Sequence, residues 1–172
     1  MRVLVAGASG AIGTRLVHQL TDRGHEVTGT CHSPDKAEQL RALGAEPVVL
    51  DALDARAVRE AVKGAEPDAV IHQATALANV RLGRNLDRTF APTNRLRTEG
   101  TDNLLAAAQD ASVRRFVAQS FASLRYARGG GMVKSEEDPL DPDPLAKTRE
   151  TNAAMRHLDQ AVTDAGGIAL RY

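Results

Sequence analysis

Seven residues, Gly7-Ala8-Ser9-Gly10-Ala11-Ile12-Gly13, constrain this chain more than any other segment. They follow the short apolar run at residues 3–6, and from within them Ile12, Leu16, Val17 and Leu20 recur at the spacing of an α-helix. A strand, a tight glycine turn and a helix open a βαβ unit. Gly7 permits the tight turn, Gly10 lets the backbone approach a pyrophosphate, and Gly13 lets helix and strand pack closely. The backbone N–H groups of the helix start, at Ala11, Ile12 and Gly13, then face phosphates together with the positive end of the helix dipole. The alternative is three glycines that merely shape a turn, and the position of the motif directly after a strand argues against it. The Ser9 hydroxyl either reaches a phosphate oxygen or faces solvent.

The rest of the chain continues the alternation. Gly24 stops the first helix before a strand at 26–30. Ser33-Pro34 starts a helix through Leu40 and Leu43 that Gly44 closes, and residues 47–50 form a third strand. Asp54 caps a helix carrying Val58 and Val62, followed by a fourth strand at 69–72. Residues 73–93 carry mixed signals, a loop or a partial helix. Leu96, Gly100, Leu104 and Ala108 share one helical stripe leading to a strand at 115–119. The glycines at 129–131 and the proline-rich segment 138–144 are loops that enclose no core. Ala154, Leu158, Ala161 and Val162 mark a last helix before a sixth strand at 168–170. The pattern predicts an α/β chain with a doubly wound parallel sheet, the Rossmann fold, in strand order 3-2-1-4-5-6. At 172 residues, without repeat or linker, one domain spanning 1–172 is expected.

Composition narrows the partners. Lys plus Arg equals Asp plus Glu, 22 each, so no long-range positive field gathers nucleic acid. Aromatics are 3% with no Trp, which leaves few stacking platforms, and no nucleic-acid partner is expected. Cys31 is the only cysteine, so an intrachain disulfide and a cysteine metal cluster are excluded, and the histidines lack metal-ligand spacing. No metal is expected. The apolar run before Gly7 is too short for a signal peptide or a membrane span, so the reading is a cytoplasmic protein without a membrane partner.

Four further segments join the glycine turn: residues 49–54 (Val-Leu-Asp-Ala-Leu-Asp), 70–74 (Val-Ile-His-Gln-Ala), 100–108 (Gly-Thr-Asp-Asn-Leu-Leu-Ala-Ala-Ala) and 115–120 (Arg-Phe-Val-Ala-Gln-Ser). With them the chain resembles an extended or atypical short-chain dehydrogenase/reductase of the NAD-dependent epimerase/dehydratase family, over nearly its whole length. The resemblance implies an NAD(P) cofactor, with Asp51 near the adenine amino group and the segment after His72, including Ala74, along the adenosine and ribose. A turn residue is the alternative for Asp51. For His72 a hydrogen-bonded core histidine is the preferred reading, and for Asn103 a buried structural amide.

Folds of this kind that prefer NAD place an acid at the end of the second strand. Here that end reads Thr30-Cys31-His32-Ser33 and carries none. His32, Ser33 and Lys36 can instead meet a 2′-phosphate, which favours NADP over NAD; solvated side chains are the alternative.

Enzymes of the family carry a Tyr-x-x-x-Lys pair on the helix before the sixth strand. The matching places hold Leu145 and Arg149, and leucine transfers no proton. A helper serine is expected after the fifth strand, with Ser123 the preferred candidate within Ser120-Phe121-Ala122-Ser123. Tyr126 is the candidate phenol, or packs its ring on the loop. Arg81, Arg84, Arg88, Arg95 and Arg97 crowd the expected mouth of the site, where they bind an anionic substrate or form a solvated face, the latter preferred. The smaller substrate-binding lobe of the family has no counterpart in these residues. Two functions follow. One is an oxidoreductase or epimerase-type enzyme acting on a carbonyl or sugar-type small molecule; the other is a non-catalytic NAD(P)-binding or redox-sensing module, or a fragment of a larger enzyme.

Overall fold

The computed structural model describes residues 1–78, 80–81, 85–122, 125–127, 129–131 and 133–172. Six strands, β1 (Arg2–Ala6), β2 (Glu26–Cys31), β3 (Glu46–Val49), β4 (Ala69–His72), β5 (Arg115–Ser120) and β6 (Ile168–Arg171), form one parallel sheet in the order 3-2-1-4-5-6. The helices are α1 (Ala11–Asp22), α2 (Pro34–Ala42), α3 (Ala55–Ala65), α4 (Leu86–Arg95), α5 (Thr101–Asp110) and α6 (Arg149–Asp164). The expected doubly wound architecture is what the chain adopts.

Alternation along β1 assigns the two faces. Val3 and Val5 pack with Val27 of β2 and with Val17, Ala37 and Leu40 of the α1/α2 layer. Leu4 and Ala6 pack with Val58, Val62, Leu104, Leu158 and Val162 of the α3/α5/α6 layer. Beyond α1 the first face thins out, and Ile168 and Leu170 of the edge strand stay 58% and 43% exposed. Gly24 and Gly44, both at positive φ, follow the ends of α1 and α2, as the helix-stop reading requires. Asp54 caps α3, its carboxylate accepting from the amides of Arg56 and Ala57.

One open reading is settled and two expectations need adjustment. The ambiguous stretch 73–93 takes its partial-helix alternative, since most of α4 falls within it, with the N-terminus capped by Asn85. Its polar face and internal Pro92 hid it, because the stripe that packs on α6 is short. The single stripe from Leu96 to Ala108 is not one α-helix, since Leu96–Gly100 makes a π-turn between α4 and α5. The loop excursion after β5 does reach the interior: Arg125 is only 1% exposed, and Tyr126 bridges Leu140 in antiparallel fashion.

Candidate functional site

The glycine turn is pinned from both sides. On the β2 side the Gly7 amide donates to Thr30 Oγ1 (3.1 Å) and the Ala8 amide to the Thr30 carbonyl (3.0 Å). On the β4 side the Gln73 amide donates to the Ala6 carbonyl (2.8 Å). β1 lies between β2 and β4, where the strand order reverses, so the turn sits at the crevice in which open α/β sheets bind ligands.

Each glycine answers to its surroundings. Gly7 has φ +80°, and a Cβ there would lie 2.6 Å from the Ala74 Cα. A Cβ on Gly13 would overlap the carbonyl oxygens of Gly7 and Ala8. At Gly10 a Cβ would meet, among the described residues beyond its chain neighbours, the Gly7 carbonyl oxygen alone, at 3.4 Å. The space in front of Gly10 is therefore open. No side chain caps α1 and no acidic residue stands in its first turn, whereas α3 and α4 are capped by Asp54 and Asn85. An open helix start with free N–H groups and a cradle that a Cβ would fill suit a pyrophosphate.

The neighbouring candidates follow the C-terminal ends of β1 to β4, on the same edge of the sheet as the glycine turn. Ser9 and Ala74 are half-buried, while Ala11 and Ile12 are exposed, Ile12 at 44%. The exposed carboxylate of Asp51 accepts from the Leu53 amide through Oδ1 (2.9 Å), a turn contact. Beyond β2, His32 and Lys36 are exposed, and Ser33 is the N-cap residue of α2 without using its hydroxyl as a cap. The Lys36 ammonium reaches Gln39 Oε1 at 3.4 Å. Asn103 donates to the Ala52 carbonyl (3.1 Å), the structural amide expected of it.

His72 is a core histidine. Its Nδ1 accepts from the Ala74 amide (3.3 Å), so the proton sits on Nε2, which donates to the Leu96 carbonyl (3.3 Å). Complete burial, together with the nearby Arg97 charge, pulls its pKa down to about 4 although the Leu96 bond opposes this. The Leu96 carbonyl also receives the Thr101 amide five residues on, the bond that defines the π-turn.

That turn directs Arg97 into a cavity of about 160 Å³ at the ends of β4 and β5, lined also by Ala74, Thr75, Phe90, Gln119 and Phe121. Burial, reinforced by the charge of Arg125, lowers the Arg97 pKa to about 10. The other arginines of this cluster behave as a solvated face: Arg81 and Arg88 are exposed and Arg95 pairs with Glu99. Arg84 lies outside the described residues.

From α6, Thr151 and Met155 face the same cavity at i, i+4 spacing. Leu145 precedes that helix, 45% exposed, and Arg149 pairs with Asp143 at 3.5 Å. Asp87 of α4 caps α6 from outside, accepting from the amides of Glu150 (3.1 Å) and Thr151 (2.8 Å) and from the Thr151 hydroxyl (2.8 Å). Burial would raise the Asp87 pKa, but these bonds outweigh it and hold the carboxyl below its ordinary range.

Ser123 lies outside the described residues. Ser120 borders the cavity and its hydroxyl donates to Asp159 (2.5 Å). Asp159 also binds Arg125 (2.6 Å) and Arg171 (2.9 Å), and the Tyr126 phenol lies against Arg171. Sequence reasoning missed this buried network. Its one legible signal is Asp159, an acid set beside Leu158 and Val162 on an otherwise apolar stripe. Among the described residues no cluster of His, Cys, Asp and Glu is arranged to hold a metal, and no helix is long and apolar enough to cross a membrane.

Comparison with known proteins agrees with this geometry. Residues 7–164 match the NAD(P)H-binding family. The chain is 44% identical over its whole length to a 3-diazoavenalumate denitrifying reductase of Streptomyces, covering 55% of it. It is 32% identical over 97% of its length to a 4-hydroxy-2-methyl-3-oxo-4-farnesyl-3,4-dihydroquinoline-1-oxide ketoreductase of Stigmatella aurantiaca, covering 46%. The chain thus spans about half the length of these curated relatives. Among solved structures, a UDP-glucose 4-epimerase of Stenotrophomonas maltophila with bound NAD shares the fold at TM-score 0.77 and 25% identity, over 100% of this chain and 52% of the other.

Proposed function

The chain belongs to the NAD(P)H-binding family, and from that premise we propose that it is the dinucleotide-binding part of a reductase or epimerase-type enzyme acting on a small carbonyl compound. The observation that carries this reading is the open space before Gly10 at the uncapped start of α1. The amides of Ala11, Ile12 and Gly13, with the Ser9 hydroxyl, hold the pyrophosphate. Asp51 and Ala74 border the adenosine. His32, Ser33 and Lys36 meet a 2′-phosphate, so NADP binds more tightly than NAD; no carboxylate at the end of β2 repels it. When bound, the dinucleotide supplies or accepts hydride.

The chain's own residues orient the substrate and exclude water. Phe90, Phe121 and Met155 form the apolar wall of the cavity beyond Ala74. Proton transfer falls to Ser123 or Tyr126, the latter linked through Arg171 and Asp159 to Ser120 at the cavity edge. The same reading treats residues 1–172 as one domain and keeps the protein in the cytoplasm, where the buried thiol of Cys31 stays reduced.

A second reading, a dinucleotide-binding module without turnover, is favoured by Leu145 and Arg149, which stand at the surface. Calorimetric titration with NADPH, NADH and their oxidised forms tests the proposal. Micromolar binding with NADPH tighter than NADH supports it. Binding of all four no tighter than about millimolar overturns it, and NADH tighter than NADPH overturns the cofactor preference.

A further inference from the structure

Charge is not balanced around the cavity. Asp159, behind the cavity, is already bound by two guanidiniums, of Arg125 and Arg171, while Arg97 in the cavity lining lies within reach of the Arg125 charge. Arg125 is buried, yet among the described residues only its Nη1 has partners; Nε and Nη2 find none there. Arg97 makes one hydrogen bond, to Asn94 Oδ1 at 3.3 Å, and no ion pair among the described residues. The other buried carboxylate nearby, Asp87, is committed to the start of α6. Arg97 is half-buried, has no ion pair among the described residues and feels the positive charge of Arg125, which is costly for a cation. Arginine does not relieve that cost by losing its proton and takes no part in acid–base chemistry here. Such an arrangement is stable when an anion enters it.

We propose that the cavity binds the carboxylate of a small acid with an apolar body, with Arg97 as its direct partner. This rests on the dinucleotide-binding reading and names the substrate class for that site. The lining agrees: Leu77, Phe90, Phe121, Met155 and Leu158 give an apolar wall, and among the described residues Arg97 is the charged one in it. The π-turn gives Arg97 this orientation, while Arg95, two residues earlier, points to solvent and pairs with Glu99. Arg125 lies behind Ser120 and adds positive potential without reaching the cavity. The pyrophosphate site proposed on the turn from Gly7 to Gly13 adjoins this cavity through Ala74, and Arg97 is not part of that turn.

The test uses the whole 172-residue chain and two probes that differ only in charge, cinnamate and cinnamamide, titrated calorimetrically. Cinnamate is expected to bind at least about tenfold more tightly than cinnamamide. Arg97→Gln should abolish that difference while Arg97→Lys retains part of it. NADPH affinity, measured in the same variants, should change by less than about twofold. Equal affinity for the two probes, or no cinnamate binding at about millimolar concentration, overturns the proposal. So does a parallel loss of cinnamate and NADPH binding in Arg97→Gln, which assigns the arginine to a cofactor phosphate. A chain that binds cinnamate through Arg97 but no dinucleotide overturns only the cofactor reading. Thermal unfolding gives an independent check. Removing the unpaired charge should leave Arg97→Gln at least as stable as the parent chain and no longer stabilised by cinnamate, and a clear loss of stability overturns the charge argument.

Discussion

Gly10 and Gly13 sit three residues apart in one turn, yet adding a side chain should have opposite consequences. Gly10 has an extended backbone (φ −76°, ψ 172°) and open space in front of it, so Gly10→Val costs less than about 1 kcal/mol of stability. The same valine fills the volume meant for the pyrophosphate, and dinucleotide affinity should fall by about a hundredfold or more. At Gly13 even a methyl group meets backbone oxygens that cannot move aside, and Gly13→Ala should destabilise the fold by about 3 kcal/mol. Urea unfolding and NADPH titration of both variants separate the two effects; a stable Gly13→Ala or a fully binding Gly10→Val contradicts the assignment. The glycines were legible because spacing after a strand states their purpose. Arg97 was not. In the sequence it is one of five clustered arginines, and what singles it out is the rotation that the π-turn imposes.

That rotation is a property of elements. The π-turn at Leu96–Gly100 is tied to β4 by the bond from His72 to the Leu96 carbonyl, and the tie depends on a neutral ring. In the unfolded chain His72 has an ordinary pKa of 6.5, and in the fold about 4. Between those values the unfolded chain binds more protons, so the His72 contribution is fully present above pH 6.5 and is lost as pH falls towards 4. From pH 7 to pH 5 the loss should be roughly 2 kcal/mol, read as a drop in the urea midpoint, and His72→Gln should be less stable at pH 7 but flatter across that range. An equally steep profile in the variant would place the sensitivity elsewhere.

Asp87 does the corresponding work for α6. Asp87→Asn keeps the shape but weakens three charge-assisted bonds, for an expected loss of about 1–3 kcal/mol at pH 7. Because its folded pKa is depressed, the contribution is present above the ordinary value of 3.8 and disappears as pH falls below it; the variant should lack that acid-side loss. No sequence period announces such a cap, since Asp87 and Thr151 lie far apart in the chain and meet only when α4 and α6 pack.

For the whole molecule, the sheet order was readable from alternating strands and helices, while the excursion between β5 and α6 was not. Glycine and proline marked it as loop, yet it delivers Arg125 to a buried network that includes Ser120, Asp159 and Arg171. This global arrangement bears on turnover. Leu145 and Arg149, which stand where the resembling enzymes carry tyrosine and lysine, are at the surface, and Arg149 is held by Asp143. General acid–base catalysis contributes about 10²- to 10⁴-fold, so the native chain should reduce carbonyl compounds slowly by that margin. Leu145→Tyr with Arg149→Lys should not restore the rate, because neither position lines the cavity that Thr151 and Met155 face. Tyr126→Phe should lower any residual turnover if the phenol donates the proton, and leave it unchanged if Ser123 does. NADPH oxidation in the presence of cinnamaldehyde and a panel of keto acids, compared across these three proteins at equal cofactor saturation, decides the matter. Rapid turnover in the native chain, or a gain from the double substitution, would mean that the start of α6 approaches the reacting atoms more closely than its place at the surface allows.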